Sequence, residues 1–150
     1  MPIFDWLKIL HLAAFVVGLG AAASKFVLVA SQRRHADAKR VQLSEELALL
    51  LTKKLESPAL LIAWLLGLAL TMVKGTYWTM GWLHAKMTVT LLMLGLSHMS
   101  AASLRKIARL RSEAAAVDKL EAAKSRLTAY GIILAALALA TFFLVIFQPF

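Results

Sequence analysis

The amino-acid sequence predicts an all-α protein, an integral membrane four-helix bundle that forms a single domain over 1–150. First, 61% of its 150 residues are hydrophobic and the mean hydropathy is +0.75, whereas a soluble domain is about 45–50% apolar. Second, the basic residues gather in two of the connections between apolar stretches, the pattern that orients membrane proteins. Third, four apolar stretches form candidate spans, at 4–30, 58–73, 82–104 and 127–147.

Charge and cysteine content narrow the function classes. The net charge of +9 would suggest a nucleic-acid partner in a soluble protein. Here the charge lies between apolar spans, so no nucleic-acid partner is predicted and membrane lipid is the expected surrounding. Cysteine is absent, which excludes disulfides, thiolate metal sites, Cys-ligated iron–sulfur clusters and covalently attached haem.

The first span, 4–30, exceeds the ~20 residues that cross a hydrocarbon layer about 30 Å thick. It lacks the n-region and cleavage pattern of a removed signal peptide, so we expect a retained helix. The small residues at 18–24 suit close helix packing, a flat ligand or a homodimer interface. At about 100° per residue, one helix face carries His11, Phe15, Gly18, Ala22 and Lys25.

The second span, 58–73, is short, so its helix is expected to begin before Pro58. Leucines recur at helical spacing in the preceding connection, 31–57, which predicts an amphipathic helix on the membrane surface that leads directly into the second span. A turn at 74–81 follows, with aromatic residues typical of the membrane interface.

The third span, 82–104, carries the ionisable side chains His84, Lys86 and His98. A charged residue at the bilayer centre costs about 2.5–3.5 kcal/mol on insertion scales, so such residues usually face a cavity, a partner or a cofactor. The fourth span, 127–147, is almost purely apolar. No Asp or Glu is predicted within a span, so a ligand would have to supply the counter-ion of Lys86.

The basic residues also predict an orientation. Six Lys and Arg lie at 31–57 and seven at 105–126, against one at 74–81. The positive-inside rule then places both large connections in the cytoplasm and both termini outside, in a multi-pass protein. Because these connections are long and charged, a non-enzymatic membrane anchor or assembly subunit is one alternative function.

Helix geometry indicates which ionisable residues could meet. With a rise of 1.5 Å per residue, His11 and Lys86 lie roughly 10 Å and 6 Å inside the same membrane boundary, so they could serve one cavity. His84 points about 200° away from Lys86. His84 and His98 share a direction to within about 40° but differ by about 21 Å in height, so they cannot bind one metal ion together.

These residues suit a b-type haem. A neutral imidazole in a helix bundle can bind haem iron, so the candidate metal ligands are His11, His84 and His98. We take His11 as the leading axial ligand and leave the second open among His84, His98 and Lys86. The cations that could hold the haem propionates are Lys25, Lys74 and Lys86, with His98 expected near Lys25. Copper or another metal is the alternative ligand, and ordinary interhelical hydrogen bonding is the alternative role of each histidine.

Several short motifs resemble, in this order along the chain, those of the HemJ-type protoporphyrinogen IX oxidases. The most specific is GWLHAK at 81–86 in the third span, followed by Gly95 and His98. The others are WLK and LH within 6–11, SPA at 57–59 and the terminal PF at 149–150. The similarity runs along most of the chain.

The resemblance implies a small four-helix membrane protein that binds b-type haem, in a bacterial-type inner (plasma) membrane. It implies oxidation of protoporphyrinogen, a tetrapyrrole substrate, with electrons passing to a quinone or a respiratory-chain acceptor. The important histidine and lysine of that family match His11 and Lys86, which are therefore the expected catalytic residues. The related CopD-type membrane proteins imply copper handling as the alternative.

Overall fold

The computed structural model of the protein describes residues 2–31, 37–73, 75–113 and 117–148. In this part of the chain four helical stretches are long and apolar enough to cross a membrane, which confirms the predicted four-helix membrane bundle. The α-helices are α1 (Pro2–Ser31), α2 (Ala38–Leu51), α3 (Ser57–Val73), α4 (Gly81–Ser112) and α5 (Val117–Phe147). A π-helical turn at Thr52–Glu56 joins α2 to α3, and a short 3₁₀ helix at Gly75–Thr79 precedes α4.

The face predicted for the first span is the face that α1 turns into the bundle. Phe15, Ala22 and Lys25 are buried and His11 is half-buried. Around Gly18 the small residues serve close helix packing, because a Cβ at Gly18 would lie 3.0 Å from Leu60 Cδ2 of α3. Part of the same small-residue run, including Gly20 and Ser24, stays exposed.

The second span differs from its prediction. The helix does begin before Pro58, as expected, but it runs without interruption from Ala38 to Val73. The amphipathic stretch before Pro58 leads directly into this span, as expected, and it packs against α1 and α4. It brings Glu45 and Glu56 into the bundle interior, and Glu56 pairs there with Lys25 of the first predicted span, so the expectation that no carboxylate lies within a span is wrong at Glu56.

The π turn gives a physical reason for this continuity. Proline lacks the amide donor, and its ring clashes with the carbonyl one turn earlier in a regular helix. Directly before Pro58, the Ser57 amide bonds back to Thr52 O, five residues earlier, which widens the helix at this point. The chain therefore passes through Ser57-Pro58 without ending the helix.

Helices α4 and α5 extend beyond the apolar spans predicted from hydropathy. Helix α4 continues past residue 104 to Ser112, and α5 begins at Val117, before residue 127. These extensions contain no Gly or Pro and are rich in Ala, Leu, Lys and Arg, which are strong helix formers. Hydropathy marks the apolar part of each helix, while helix propensity carries the helix further.

Two apolar clusters hold the bundle together. The first cluster joins α1, α3, α4 and α5. It consists of Phe15, Ala22, Leu60, Ala63, Met93, Leu134 and Ala138. The second cluster lies towards the basic connections and consists of Ala48, Leu104, Ile107, Ala123 and Leu127. Large apolar side chains such as Ile9, Val16, Leu92 and Leu139 remain exposed on the outside of the helices. A helix that is apolar all round is typical of a membrane span, so these side chains face lipid.

Candidate functional site

A cavity of about 330 Å³ lies inside the bundle, at the end that carries the two chain termini. All four spans line it, because it extends from the beginning of α1 and of α4 to the end of α3 and of α5. Most of its wall is apolar. The polar side chains on the wall include His11, Lys8, Lys86 and Thr90.

His11 is held in the cavity wall by a hydrogen bond between helices. Its Nδ1 lies 2.7 Å from the carbonyl oxygen of Ala63 in α3. A carbonyl oxygen only accepts, so Nδ1 carries the proton and donates it to Ala63. In a neutral imidazole the other nitrogen, Nε2, then keeps its lone pair. This is the arrangement found when a histidine binds a metal through Nε2.

Gly67 makes room for this histidine. A Cβ built on Gly67 would lie 3.1 Å from Cε1 of His11 and 3.9 Å from Sδ of Met87. The imidazole therefore packs directly on the backbone of α3, one turn after Ala63. The thioether of Met87 and the imidazole thus both approach the same point on α3.

Two lysines line the cavity. Lys86 of α4 is partly buried, and among the described residues no carboxylate lies within ion-pair distance of its ammonium group. Lys8 lies one helical turn before His11, with its ammonium 4.5 Å from the centre of the Phe4 ring. The cavity thus combines one imidazole and two cations with apolar walls.

Aromatic side chains supply much of that wall. Phe15 of α1 and Phe142 of α5 meet edge to face, with ring centroids 5.9 Å apart. Trp64 donates from Nε1 to the carbonyl of Met87 over 3.3 Å, which ties α3 to α4 beside the cavity. Such walls suit a flat, largely apolar ligand, while the lysines and His11 offer a few polar contacts, as in most small-molecule sites.

The structure separates the other predicted site residues from this cavity. His84 is exposed and lies against Trp78, with ring centroids 6.3 Å apart. His98 is also exposed, and its Nδ1 bonds to Leu94 O of its own helix over 3.0 Å. Neither residue lines the cavity. The predicted cation Lys74 and the terminal motif at 149–150 lie outside the described residues.

Lys25 has a partner that the sequence did not suggest. Its Nζ lies 2.7 Å and 2.8 Å from the two carboxylate oxygens of Glu56, and both side chains are buried. Lys25 is therefore not available to hold a propionate, because its charge is already neutralised within the chain. Among the described residues, no three His, Asp or Glu side chains lie close enough together to hold a metal ion.

Sequence reasoning missed part of the cavity wall. Lys8 was not among the predicted site residues, although its spacing of three residues from His11 puts both on one helix face. Met87 was not predicted to belong to a site, and nothing in the sequence linked Trp64 or Gly67 to His11. Their roles depend on how α3 and α4 pack, which hydropathy and spacing do not specify.

These observations define the class: a polytopic integral membrane protein, a four-span bundle with an apolar cavity that carries an imidazole and two ammonium groups. The chain belongs to the DUF2269 family, described as predicted integral membrane proteins, whose family model matches residues 5–148. No curated protein and no solved structure matches the chain.

Proposed function

We propose that the cavity binds a tetrapyrrole, b-type haem or its porphyrinogen precursor, and that the protein is a membrane redox protein similar to the HemJ-type protoporphyrinogen oxidases. The observation that carries the proposal is the placement of His11 and Lys86 in the wall of one apolar cavity. The motif GWLHAK at 81–86, which contains Lys86, is the most specific part of the resemblance.

His11 suits the role of an axial ligand. Because Nδ1 donates to Ala63 O, the ring is oriented and Nε2 keeps the lone pair that iron requires. The second position has fewer candidates than the sequence left open, since His84 and His98 do not line the cavity. Lys86 remains from the earlier set, and Met87 joins it because its sulfur and the imidazole both lie within 4 Å of the Cβ position on Gly67.

The two lysines suit a ligand with two carboxylates. A partly buried ammonium group without a counter-ion is unfavourable in a membrane, and Lys86 has no carboxylate partner among the described residues. A tetrapyrrole brings two propionates, and the cavity offers two cations, Lys86 and Lys8. The lysines would fix the propionate edge while the apolar wall covers the ring.

The size of the cavity sets a limit on this fit. Its volume of about 330 Å³ is at the lower end of the ~300–1,000 Å³ that small-molecule sites span. A ligand as large as a porphyrin would therefore extend beyond it, between the helices and towards lipid. This suits a lipid-soluble substrate that enters from the membrane.

In this proposal the chain's own residues bind, orient and exclude water, and a bound haem would supply one-electron transfer. Oxidation of a porphyrinogen removes hydrogen, so its electrons and protons together would pass to an acceptor such as a quinone, which becomes a quinol. His11, with its lone pair given to iron, and the charged lysines would then bind and orient the ligand rather than accept its protons, and Glu45 and Glu56 do not line the cavity.

Copper binding is the second candidate, favoured by one observation. The imidazole of His11 and the thioether of Met87 both lie within 4 Å of one point, the Cβ position on Gly67. Imidazole and thioether are suitable donors for Cu(I).

Absorption spectroscopy of the purified protein separates the two candidates. Bound haem gives a Soret band and, after reduction, α and β bands, and His11→Ala should remove them. His98→Ala is the matched control, because this histidine is exposed and outside the cavity. A colourless protein that carries stoichiometric copper would replace the haem proposal with the copper one.

Complementation tests the enzymatic part. Wild-type protein should restore growth to a strain that lacks its protoporphyrinogen oxidase. Lys86→Met should weaken tetrapyrrole binding on the order of 10–100-fold, as expected for a charged hydrogen bond, while Lys86→Arg keeps the charge and most of the activity. A wild-type protein that binds haem but does not complement would leave an electron-transfer or haem-handling protein.

A further inference from the structure

A second cavity of about 200 Å³ lies between α4 and α5, at the opposite end of the bundle from the first. Its polar lining comes from Ser103 and Lys106 of α4 and from Lys119, Arg126 and Tyr130 of α5. The residues of α5 that line this cavity are spaced by three, four and seven positions, so they lie on one helix face. Three cations and two hydroxyl groups therefore surround one groove.

The cations in this groove differ from their neighbours on the same helices. Arg109 pairs with Glu113 at 2.7 Å, and Arg111 pairs with Glu45 at 2.8 Å. Within the described residues no carboxylate lies within 4.0 Å of Lys106, Lys119 or Arg126, although Asp118 and Glu121 stand nearby in sequence. The positive charge of the groove is thus not neutralised by the chain.

The position and chemistry of the groove select a ligand class. It lies where α4 and α5 pass from their apolar spans into their basic extensions, which is the level of lipid headgroups. Basic pockets between helices at this level suit anionic headgroups. Ammonium, guanidinium and hydroxyl groups together are the donors that bind phosphate oxygens.

We propose that the groove between α4 and α5 binds the phosphate group of an anionic ligand through Lys106, Lys119 and Arg126, with Ser103 and Tyr130 as additional donors. The same chemistry could come from a phospholipid headgroup or from a phosphorylated solute. The site is separate from the cavity around His11 and does not depend on the function proposed for it.

Native mass spectrometry of the full-length protein in detergent tests the proposal. The protein is titrated with phosphatidylglycerol, with phosphatidylcholine and, in a further arm, with glycerol phosphate as a soluble competitor. We expect phosphatidylglycerol to bind more tightly than phosphatidylcholine. Replacing all three cations, K106Q/K119Q/R126Q, should lower that affinity by about fivefold per cation, on the order of 100-fold in all.

The matched control is K39Q/K53Q/K54Q, which removes the same charge at exposed positions outside the groove. It should keep the affinity for phosphatidylglycerol within about threefold, less than one cation contributes. Displacement of the lipid by glycerol phosphate would identify a soluble ligand, and retention would identify the lipid headgroup; both support a phosphate site. Equal loss in the two triple variants, or equal binding of the two lipids by the wild type, would overturn it.

Discussion

At the residue scale, Lys25 and Glu56 form the most deeply buried ion pair in the described part of the chain. Both carboxylate oxygens lie within 2.8 Å of the ammonium group, and Glu56 is fully buried. Burying two charges is costly, and the pair offsets that cost only while both partners are present. The pair therefore matters most when one partner is lost.

Removing one partner should destabilise the protein far more than removing both. Lys25→Met or Glu56→Met should lower the free energy of unfolding by about 3–5 kcal/mol, since each leaves a buried group without its partner. The double variant K25M/E56M should lose much less than the sum of the two changes. Denaturant-induced unfolding in detergent micelles measures all three.

The control for this prediction is the exposed pair of Arg109 and Glu113. Arg109→Gln should leave unfolding unchanged, because solvent screens an exposed ion pair and little stability depends on it. If Lys25→Met behaved like Arg109→Gln, the buried pair would not be a structural feature of the protein in its membrane-like environment.

Gly67 provides a second test at the residue scale, directed at the cavity. In Gly67→Ala the new methyl group would lie 3.1 Å from Cε1 of His11, so the ring must shift and its 2.7 Å bond to Ala63 O must weaken. If His11 binds haem iron, we expect haem affinity to fall about 10–100-fold, the range for loss of a residue that orients a metal ligand. Absorbance titration with haem measures it.

Gly95→Ala is the matched variant in the neighbouring helix. A Cβ on Gly95 meets nothing within 4 Å, so this change should leave haem affinity unaltered. Equal affinities for the two glycine variants would show that the position of His11 does not control binding.

At the element scale, the π turn sets how α2 and α3 face the rest of the bundle. A π turn contains one residue more than the α-helical path, and one residue corresponds to a rotation of about 100°. On one side of the turn, Glu45 of α2 accepts two hydrogen bonds from Arg111 of α4, at 2.8 Å and 3.1 Å. On the other side, Glu56 pairs with Lys25 of α1.

Deleting Lys54 should therefore break one of these two ion pairs. The deletion converts the π turn to regular helix and rotates α2 against α3, so Glu45 and Glu56 cannot both keep their partners. We expect a loss of about 3–5 kcal/mol, that of one broken buried pair. Lys54→Ala is the control, because this side chain is exposed. A deletion variant as stable as Lys54→Ala would contradict the role of the turn.

The helices also show which features of the fold the sequence could predict and why it could not predict the others. Hydropathy located all four spans, because the membrane requires long apolar helices, and the 100° periodicity identified the inward face of α1. It did not reveal that the amphipathic stretch before Pro58 packs against α1 and α4, since the leucines of this stretch are mixed with charges. The partner of Lys25 lies 31 residues away beyond the π turn, and no local pattern encodes such a pairing.

At the scale of the whole molecule, helix lengths and connections place two different sites at the two ends of one bundle. His11 and Lys86 line a single cavity, as their predicted depths suggested, because α1 and α4 both enter the bundle from the end that carries the termini. His84 and His98 were expected to contribute as well, but rotation about the α4 axis turns both outwards. Depth follows from residue counting, whereas direction depends on how the helices pack.

The orientation in the membrane is the prediction that applies to the whole molecule. Six and seven basic residues lie at 31–57 and 105–126, and one at 74–81, so the positive-inside rule places the end of α4 in the cytoplasm and the 3₁₀ helix before it outside. The chain has no cysteine, so a single introduced thiol reports one position. Ser112→Cys should react with an impermeant thiol reagent only from the cytoplasmic side.

The complementary position is Gly75, which is exposed and where a Cβ meets nothing within 4 Å. Gly75→Cys should react with the same reagent only from the outer side, in intact cells. Taken together the two variants distinguish a reversed orientation from poor access, because reversal exchanges their labelling while poor access abolishes it. Labelling of Ser112→Cys from outside, with Gly75→Cys protected, would invert the topology and place the cavity around His11 at the cytoplasmic face.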